Sequence, residues 1–313
     1  MIVVAHHLYR LGDAYRRLRS DPLTEVSTPA DLMACLPAAS TLVISRFWRN
    51  GLLDLAPRLK FIQSISAGTD QFDIAQISQR GIRLASAQTA NETAVAEHAI
   101  GMMLSLTRQL HYARDNQALR VWREVSPLQA ARETEVRGKV IAIIGYGRIG
   151  QRIAAIAKAL GMTVIGVRRR PAAKADHADI LVASDRLETA LAQADVVVLA
   201  CPHTADTDKL IGRAQLAAMK ASAYLLNIAR GRIVDQDALI SALHAGQLAG
   251  AALDCFVEEP LPADSPLWVF PNVIVTPHSA GNTQHYEANV AAILAENIAR
   301  LERGPPTLLN QVN

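Results

Sequence analysis

Cysteine, aromatic side chains and long apolar runs are all scarce in this chain of 313 residues. The three cysteines, Cys35, Cys201 and Cys255, are odd in number and too far apart for a C-x-x-C motif, so the sequence predicts neither a disulfide framework nor a metal site. No apolar run approaches the ~18 residues of a membrane span. The opening segment MIVVAHHL lacks a basic flank and a cleavage site, which predicts a first strand rather than a signal peptide. We therefore expect a cytoplasmic protein without a membrane partner.

An excess of charge of one sign is also lacking. Lysine and arginine number 32 and aspartate and glutamate 29, which leaves a formal net charge of +3. A nucleic-acid-binding protein would carry a dense basic face, so no nucleic-acid partner is expected. Half of the residues are apolar and 19% are charged, values typical of a globular protein. The length favours two domains.

Short runs rich in valine and isoleucine alternate with helix-length stretches along the chain, a pattern typical of parallel β/α units. Strands are predicted at 2–5, 24–28, 41–45, 61–66, 82–85, 139–145, 162–167, 196–201, 223–229, 250–256 and 273–277. Thr28 followed by Pro29 predicts a helix start, because threonine caps well and proline suits the first helical position. A long helix is predicted over 91–116 and a last one from about Thr283 to Arg303.

A glycine-rich segment follows the strand at 139–145 and precedes a helical stretch. It consists of Gly145, Gly147 and Gly150 with Arg148 and Ile149 among them. Such glycines permit a tight turn, close approach of a pyrophosphate, and close packing of helix on strand. The motif predicts a dinucleotide site with the anion at the helix N-terminus; a purely structural turn is the alternative.

Arg168, Arg169 and Arg170 end the next strand, where dinucleotide folds often place an acid that binds the ribose hydroxyls. A carboxylate there would repel a ribose 2′-phosphate, whereas a guanidinium attracts it and can bind it in a forked geometry. The arginines therefore favour NADP over NAD. A solvated basic turn is the alternative.

Three further segments each follow an apolar strand: LLNIARGRIVD (225–235), ALDCFVEEPLP (252–262) and VIVTPHSAG (273–281). Together with GYGRIG and with SISAGTD (64–70), they resemble the D-isomer-specific 2-hydroxyacid dehydrogenase family over nearly the whole chain. Within that family, the chain most resembles the NADPH-dependent glyoxylate/hydroxypyruvate reductases.

Reduction of a 2-oxo acid needs a group that holds the carboxylate, a proton donor for the ketone oxygen and a positioned nicotinamide. Arg230 suits the first role, because its guanidinium can bind carboxylate and carbonyl oxygens together. His278 suits the second, since an imidazolium gives a proton in reduction and imidazole takes it back in oxidation. Glu259 matches the family acid that pairs with this histidine and favours the imidazolium. Glu258 is the adjacent alternative.

The resemblance implies further contacts. Backbone amides at Ser66, Ala67 and Gly68 would hold the substrate carboxylate, with an ordinary tight turn as the alternative. Arg230 and His278 would also contact the substrate, and His278 the cofactor. Asp254 would receive the nicotinamide carboxamide. The other positions implied for the cofactor are Cys201, Pro202, His203, Thr207, Ile228, Ala229, Ala280 and Gly281. The imidazole of His203 departs from the apolar side chain more usual there.

Two aromatic or thiol side chains stay ambiguous at this level. Trp48 could form a wall of the substrate pocket or bury its ring within its own domain. Cys255 adjoins Asp254, but a packed thiol is favoured over a nucleophile. His6 and His7 end the first strand without an acid nearby in sequence, which favours a structural role.

We therefore expect an α/β protein of two doubly wound parallel-sheet domains, Rossmann-like or flavodoxin-like. Residues 1–92 and 283–313 would form the substrate domain, and residues 93–282 the NADP-binding domain inserted into it, with a cleft between them. The implied reaction is reduction of a small 2-oxo acid to the D-2-hydroxy acid by NADPH, with NADH weaker. The resemblance also implies a homodimer.

Other functions remain open. A corepressor-like protein that senses the cofactor without turnover is disfavoured by the presence of Arg230, Glu259 and His278 together. Formate dehydrogenases share the architecture but have glutamine in place of the paired glutamate. A reductase for a bulkier 2-oxo acid stays open, because pocket size is a three-dimensional property.

Overall fold

The computed structural model describes residues 1–170, 176–304 and 307–313. The chain divides into two compact units: unit 1, Met1–Asn91 with Thr283–Asn313, and unit 2, Glu92–Asn282. The strands are β1 (Ile2–Ala5), β2 (Leu23–Val26), β3 (Thr41–Ile44), β4 (Phe61–Ser64), β5 (Arg83–Ala85), β6 (Val140–Ile144), β7 (Thr163–Arg168), β8 (Ile180–Ala183), β9 (Val196–Leu199), β10 (Tyr224–Asn227), β11 (Gly250–Leu253) and β12 (Val273–Val275). The α-helices are α1 (Leu11–Arg16), α2 (Pro29–Cys35), α3 (Ile74–Gln79), α4 (Glu92–Thr107), α5 (Leu110–Leu119), α6 (Arg148–Ala159), α7 (Leu187–Gln193), α8 (Arg213–Ala218), α9 (Gln236–His244) and α10 (Tyr286–Arg303).

Unit 1 is built on a five-stranded parallel sheet with the order β2-β1-β3-β4-β5, the flavodoxin-like arrangement. Its central strands are buried on both faces, as their continuous apolar runs predict. Val3 and Leu42 pack on one face, and Val4 and Val43 on the other.

The predicted helix start at Thr28 is present in unit 1. Thr28 Oγ1 accepts a hydrogen bond from the Asp31 amide at 3.2 Å, and Pro29 is the first residue of α2. One of the helix's otherwise unpaired amides is satisfied in this way, which is the reason that threonine favours this position.

Unit 2 contains a seven-stranded parallel sheet with the order β12-β11-β10-β9-β6-β7-β8. The strand order reverses at β6, which lies between β7 and β9, as in Rossmann domains. The two sheets confirm the expected α/β class. Strand β8 is not among the predicted strands; it pairs only on one side, at the sheet edge, and its residues are exposed or half-buried.

The helix predicted over 91–116 is interrupted. Gln109, between α4 and α5, has φ 54°, a left-handed conformation that cannot continue a right-handed helix. Helix α4 buries a full face against α6, β10 and β11, whereas α5 has no buried residue. The predicted helix is therefore two helices, of which only α4 has buried residues.

In the ranges that the structure covers, no helix has both the length and the apolar character needed to cross a membrane. The same ranges contain no group of three or more His, Cys, Asp or Glu side chains placed to hold a metal ion.

Candidate active site

The site residues of unit 2 lie in the loops that follow strands β6, β7 and β9 to β12. Because these strands are parallel, their C-terminal ends meet at one edge of the sheet. Ligands of open α/β sheets bind at this edge, beside the strand where the order reverses.

The glycine loop has the geometry that its motif predicts. Gly145 has φ 98°, and a Cβ at that residue would lie 2.4 Å from the backbone nitrogen of Cys201. A Cβ on Gly150 would lie 2.6 Å from the carbonyl oxygen of Gly145, so helix α6 packs directly on the turn. Around Gly147, which precedes α6, a Cβ would meet nothing within 4 Å. An open backbone at the start of a helix fits a pyrophosphate.

The three arginines lie directly beside this loop. The amides of Gly145 and Tyr146 donate to the carbonyl oxygen of Val167 at 2.9 and 3.0 Å. Arg168, the next residue, ends β7 and is half-buried, while Arg169 and Arg170 are exposed. Cationic side chains therefore stand next to the glycine loop, which is the predicted site of a nucleotide. Arg148 and Ile149 form the first turn of α6, exposed and half-buried respectively.

His278 and Glu259 form a hydrogen-bonded pair. His278 Nδ1 lies 2.8 Å from Glu259 Oε2, and Glu259 Oε1 accepts the amide of Phe256 at 3.0 Å. The bond thus involves Glu259 and not the adjacent Glu258. Because a carboxylate only accepts, Nδ1 carries the proton in this pair and Nε2 is left for a ligand. The side chain of His278 is 45% exposed, so a ligand can reach it.

Arg230 lies in a rigid turn after β10. The side chain of Asn227, 1% exposed, donates to the Arg230 carbonyl at 2.9 Å and accepts the Ala229 amide at 3.1 Å. Arg230 Nη1 donates to the Ala229 carbonyl at 2.8 Å. A Cβ on Gly231 would lie 1.9 Å from the carbonyl carbon of Phe256. The turn of Arg230 therefore packs against the backbone of the loop that presents Glu259.

Asp254 makes contacts that the sequence did not predict. Its carboxylate is 2% exposed and accepts hydrogen bonds from Thr276 Oγ1 at 2.6 Å and from the amides of Ser279 and Ala280 at 2.8 and 2.9 Å. A carboxylate offers about four acceptor positions, so three are used within the protein. Asp254 therefore holds the loop that carries His278.

The loop after β9 is closed by its own side chains. Thr207 Oγ1 accepts the Thr204 amide at 2.7 Å and donates to the Pro202 carbonyl at 2.8 Å. His203 Nε2 lies 2.8 Å from Asp208 Oδ1. This bond, followed by the nearby Arg232, lowers the pKa of Asp208. The unusual imidazole of His203 thus has a structural partner within its loop.

The other predicted cofactor positions, and the thiols of Cys201 and Cys255, are buried or half-buried. Ile228, Ala229 and Ala280 are 9%, 8% and 4% exposed, and Gly281 is half-buried. Burial raises the pKa of the Cys201 thiol to about 11. Burial, with Asp254 and Glu259 nearby, also raises the pKa of Cys255. Neither thiol has the lowered pKa of a nucleophile.

The predicted residues of unit 1 lie after β3 and β4. Ser66, Ala67 and Gly68 are half-buried, and the Ser66 amide donates to Ser64 Oγ at 3.1 Å, so it is already engaged. Trp48 is 2% exposed; its ring packs on Phe72 in the core of unit 1, and its Nε1 donates to Asn50 at 2.9 Å. This corrects the placement of Trp48 in the substrate pocket, because its ring has no free face for a ligand.

Asn227, Gly231 and Thr276 support the site but are not among the residues predicted from the sequence. Asn227 and Gly231 flank Arg230 within three residues, which is the signal that could have pointed to them. Thr276 precedes His278 by two residues, but its bond to Asp254 joins the loops that follow β11 and β12 and has no local signal.

Dinucleotide-dependent oxidoreductases have a glycine loop and catalytic side chains at one edge of a doubly wound sheet. This chain has a glycine loop at that edge, together with a histidine that is hydrogen-bonded to a carboxylate. The model of the D-isomer specific 2-hydroxyacid dehydrogenase NAD-binding domain matches residues 100–280. The chain belongs to the D-isomer specific 2-hydroxyacid dehydrogenase family, and it is an NAD(P)-dependent oxidoreductase.

Individual relatives agree with this assignment. Glyoxylate/hydroxypyruvate reductase B of Yersinia pestis (strain Pestoides F) is 38% identical over 295 residues, 92% of this chain and 88% of the relative. A crystal structure of a protein from Thermus thermophilus is 32% identical, covers 100% of both chains and superposes with a TM-score of 0.86. An NADPH-dependent glyoxylate/hydroxypyruvate reductase from Sinorhizobium meliloti, in complex with NADP and malonate, is 24% identical with a TM-score of 0.81, over 99% of this chain and 96% of that one. At that identity it supports the fold alone.

Proposed function

We propose that this enzyme reduces a small 2-oxo acid of the glyoxylate or hydroxypyruvate type to the D-2-hydroxy acid with NADPH. The observation that carries the proposal is the hydrogen bond of 2.8 Å between His278 Nδ1 and Glu259 Oε2. It supplies an oriented acid at the same sheet edge as the glycine loop. The Yersinia pestis relative, a glyoxylate/hydroxypyruvate reductase, supports the substrate class.

The residues present fit a nicotinamide dinucleotide, whose bound nicotinamide would supply the hydride. The backbone of Gly145–Gly150 and the N-terminus of α6 would hold the pyrophosphate. Arg168, Arg169 and Arg170 would bind the 2′-phosphate of NADP. The loops at 201–207, 228–229, 254 and 280–281 would line the nicotinamide half.

His278 would donate the proton. The Glu259 carboxylate would fix the ring through Nδ1, so that Nε2–H can give its proton to the ketone oxygen. Arg230 would bind the substrate carboxylate, and the clamp of Asn227 on its backbone limits the motion of that turn. The contacts expected from Ser66, Ala67 and Gly68, like the expected cleft between the domains, stay predictions.

The preference for NADPH rests on Arg168 and its two neighbours. A charge-assisted hydrogen bond contributes about 1.5–3 kcal/mol, and ~1.4 kcal/mol is tenfold in affinity. We expect kcat/KM to be higher with NADPH than with NADH, measured by absorbance at 340 nm with glyoxylate and hydroxypyruvate. Arg168→Ala should lower kcat/KM with NADPH by ~10-fold or more and leave the NADH value within about twofold.

Arg186→Ala is the matched control for Arg168→Ala, because Arg186 is an exposed arginine of the same unit. It should change neither cofactor's kcat/KM. A wild-type enzyme that prefers NADH, or an Arg168→Ala enzyme with an unchanged cofactor ratio, would contradict the assignment of the arginines.

Two alternatives are tested by the same assay. A series of 2-oxo acids of increasing size, run with both cofactors, would show whether a bulkier acid is preferred. Absence of turnover with all of them would favour a cofactor-sensing binding protein. The acid-backed histidine argues against that alternative, since binding alone does not need an oriented proton donor.

A homodimer is part of this proposal. The end of helix α5 and the segment after it expose several large apolar side chains close together in the sequence: Leu119 (72%), Trp122 (94%), Val125 (84%) and Leu128 (70%). Exposed apolar surface that is contiguous marks interaction sites, and we assign the dimer contact to this segment.

A further inference from the structure

Helix α4 contributes a histidine to the hydrogen bonds behind the His278 loop. His98 Nε2 lies 3.2 Å from Thr276 Oγ1 and 3.7 Å from Asp254 Oδ1. Thr276 Oγ1 in turn lies 2.6 Å from Asp254 Oδ1. No role in the reaction follows for His98 from the sequence motifs, because it lies in the middle of a helix, 180 residues before His278 in the chain.

The direction of each hydrogen bond is fixed by the groups involved. The Asp254 carboxylate only accepts, so the single proton of the Thr276 hydroxyl is directed to it. The hydroxyl oxygen must then accept from His98, which places the ring proton on Nε2. His98 donates to Thr276, and Thr276 donates to Asp254.

The chain of bonds ends on the backbone around the proton donor. Asp254 accepts the amides of Ser279 and Ala280, the two residues that follow His278. His278 itself has φ 52°, a left-handed conformation that is unfavourable for a residue with a side chain. Such a backbone persists only where its surroundings hold it, and Asp254 supplies two of the bonds that do so.

Helix α4 is a firm support for this network. Val95 and Met102, three residues before and four residues after His98 and so on the same side of the helix, are at most 7% exposed in the core of unit 2. The helix packs against β10 and β11, and β11 leads into Asp254. The side chain of His98 is 23% exposed, so most of its ring is covered by the protein.

We propose that His98 is a positioning residue for the reduction: by donating to Thr276 it fixes the rotamer of Thr276 and the orientation of Asp254, and thereby the His278 loop. The proposal rests on the proposed function for its kinetic consequence. Its structural consequence, a loop held in place from helix α4, is independent of the substrate.

The test uses four variants of the whole chain. His98→Leu removes the donor, and His98→Gln restores an N–H near the position of Nε2. Thr276→Val removes the hydroxyl at nearly constant volume. The double variant His98→Leu/Thr276→Val shows whether the two groups act as one unit. Each is compared with wild type in kcat and KM, in the thermal unfolding midpoint, and in hydrogen exchange of the Ser279 and Ala280 amides.

We expect His98→Leu to lower kcat by ~10-fold, the effect of losing about one hydrogen bond, with KM changed less than about twofold. The Ser279 and Ala280 amides should exchange ~10-fold faster, since their protection depends on local opening. His98→Gln should restore both quantities to within about threefold of wild type. Thr276→Val should behave like His98→Leu, and the double variant should be no worse than either single one.

Unchanged amide exchange in His98→Leu, or a His98→Gln variant as impaired as His98→Leu, would overturn the proposal. If a His98 variant fails to fold, Thr276→Val makes the same test, because it removes the next hydrogen bond of the network. If the wild type reduces no 2-oxo acid, the proposed function fails, whereas the amide exchange still decides whether His98 holds the loop.

Discussion

A histidine follows a strand at the C-terminal edge of each of the two sheets. The two imidazoles differ in their exposure and in the hydrogen bond that Nδ1 makes. In unit 1, His6 directly follows β1, is 4% exposed, and accepts the amides of Leu8 and Tyr9 on Nδ1, each at 3.0 Å. In unit 2, His278 follows β12, is 45% exposed, and directs Nδ1 to the Glu259 carboxylate at 2.8 Å. The same nitrogen is an acceptor in one residue and a donor in the other.

The partner of Nδ1 determines what each ring can do. Burial, with the nearby positive charges of His7 and Arg46, lowers the pKa of His6 to about 4, so His6 is neutral at pH 7. Its stacking on Tyr9, with ring centroids 4.7 Å apart, completes a structural role. The carboxylate partner of His278 instead orients its ring through Nδ1 and leaves Nε2 for a ligand. Position after a strand therefore does not define a catalytic histidine, whereas its hydrogen-bond partner does.

Replacement of His278 should give the largest effect. We expect His278→Gln to lower kcat by ~10²–10⁴-fold, the contribution typical of a general acid. His244→Gln is the matched control, since His244 is an exposed histidine of the same unit. Steady-state kinetics with NADPH and glyoxylate measures both. Near-normal turnover in His278→Gln would mean that His278, like His6, is not the proton donor.

Titration of His6 should make the free energy of unfolding depend on pH. Because its pKa falls from 6.5 to about 4 on folding, the unfolded chain binds the proton more tightly, and stability is lost as the pH falls through this window. The loss amounts to about 3 kcal/mol between pH 7 and pH 4. His6→Asn keeps an acceptor for the two amides but does not titrate, so its urea midpoint should depend less on pH. A dependence as steep as that of wild type would show that other groups are responsible.

Tryptophan fluorescence can follow this transition in unit 1. Trp48 is 2% exposed, whereas Trp122 and Trp268 of unit 2 are 94% and 51% exposed. The change in emission on unfolding therefore comes mainly from Trp48.

Replacement of Glu259 should have the smallest effect of the three. Glu259→Gln keeps a possible acceptor for His278 but removes the charge, which is worth about 1.5–3 kcal/mol in a charged hydrogen bond. We expect kcat to fall by ~10–100-fold. Glu258→Gln should leave kcat within about twofold, because the bond to His278 is made by Glu259. Equal effects in the two variants would mean that the charge of the loop matters and not the pairing.

The features that sequence predicted well are those determined by neighbours in the chain. Every described strand of the two sheets except β8 follows from an apolar run, and the geometry of the glycine loop follows from the spacing of Gly145, Gly147 and Gly150. The choice of Glu259 over Glu258 needed the resemblance, since both are acids in one loop. Residues adjacent in the chain were therefore sufficient to predict the strands and the turn of the glycine loop.

The features that sequence did not predict depend on contacts between distant residues. Trp48 could be placed in the core only once Phe72 was seen against it. The break at Gln109 depends on which part of the helix packs, and the bonds of Asp254 with Thr276, Ser279 and Ala280 join the loops that follow β11 and β12. Such hydrogen bonds leave no periodicity in the sequence.

The missing side chain at residue 231 sets a limit on how this enzyme can change. Since a Cβ there would lie 1.9 Å from the Phe256 carbonyl carbon, even alanine would force two loops apart. Those loops carry the guanidinium of Arg230 and the carboxylate of Glu259. Natural or engineered variants should therefore tolerate new side chains at many surface positions of unit 2 long before they tolerate one here. A glycine at this position in a related sequence therefore indicates that the loops of Arg230 and Glu259 can pack as closely as they do here.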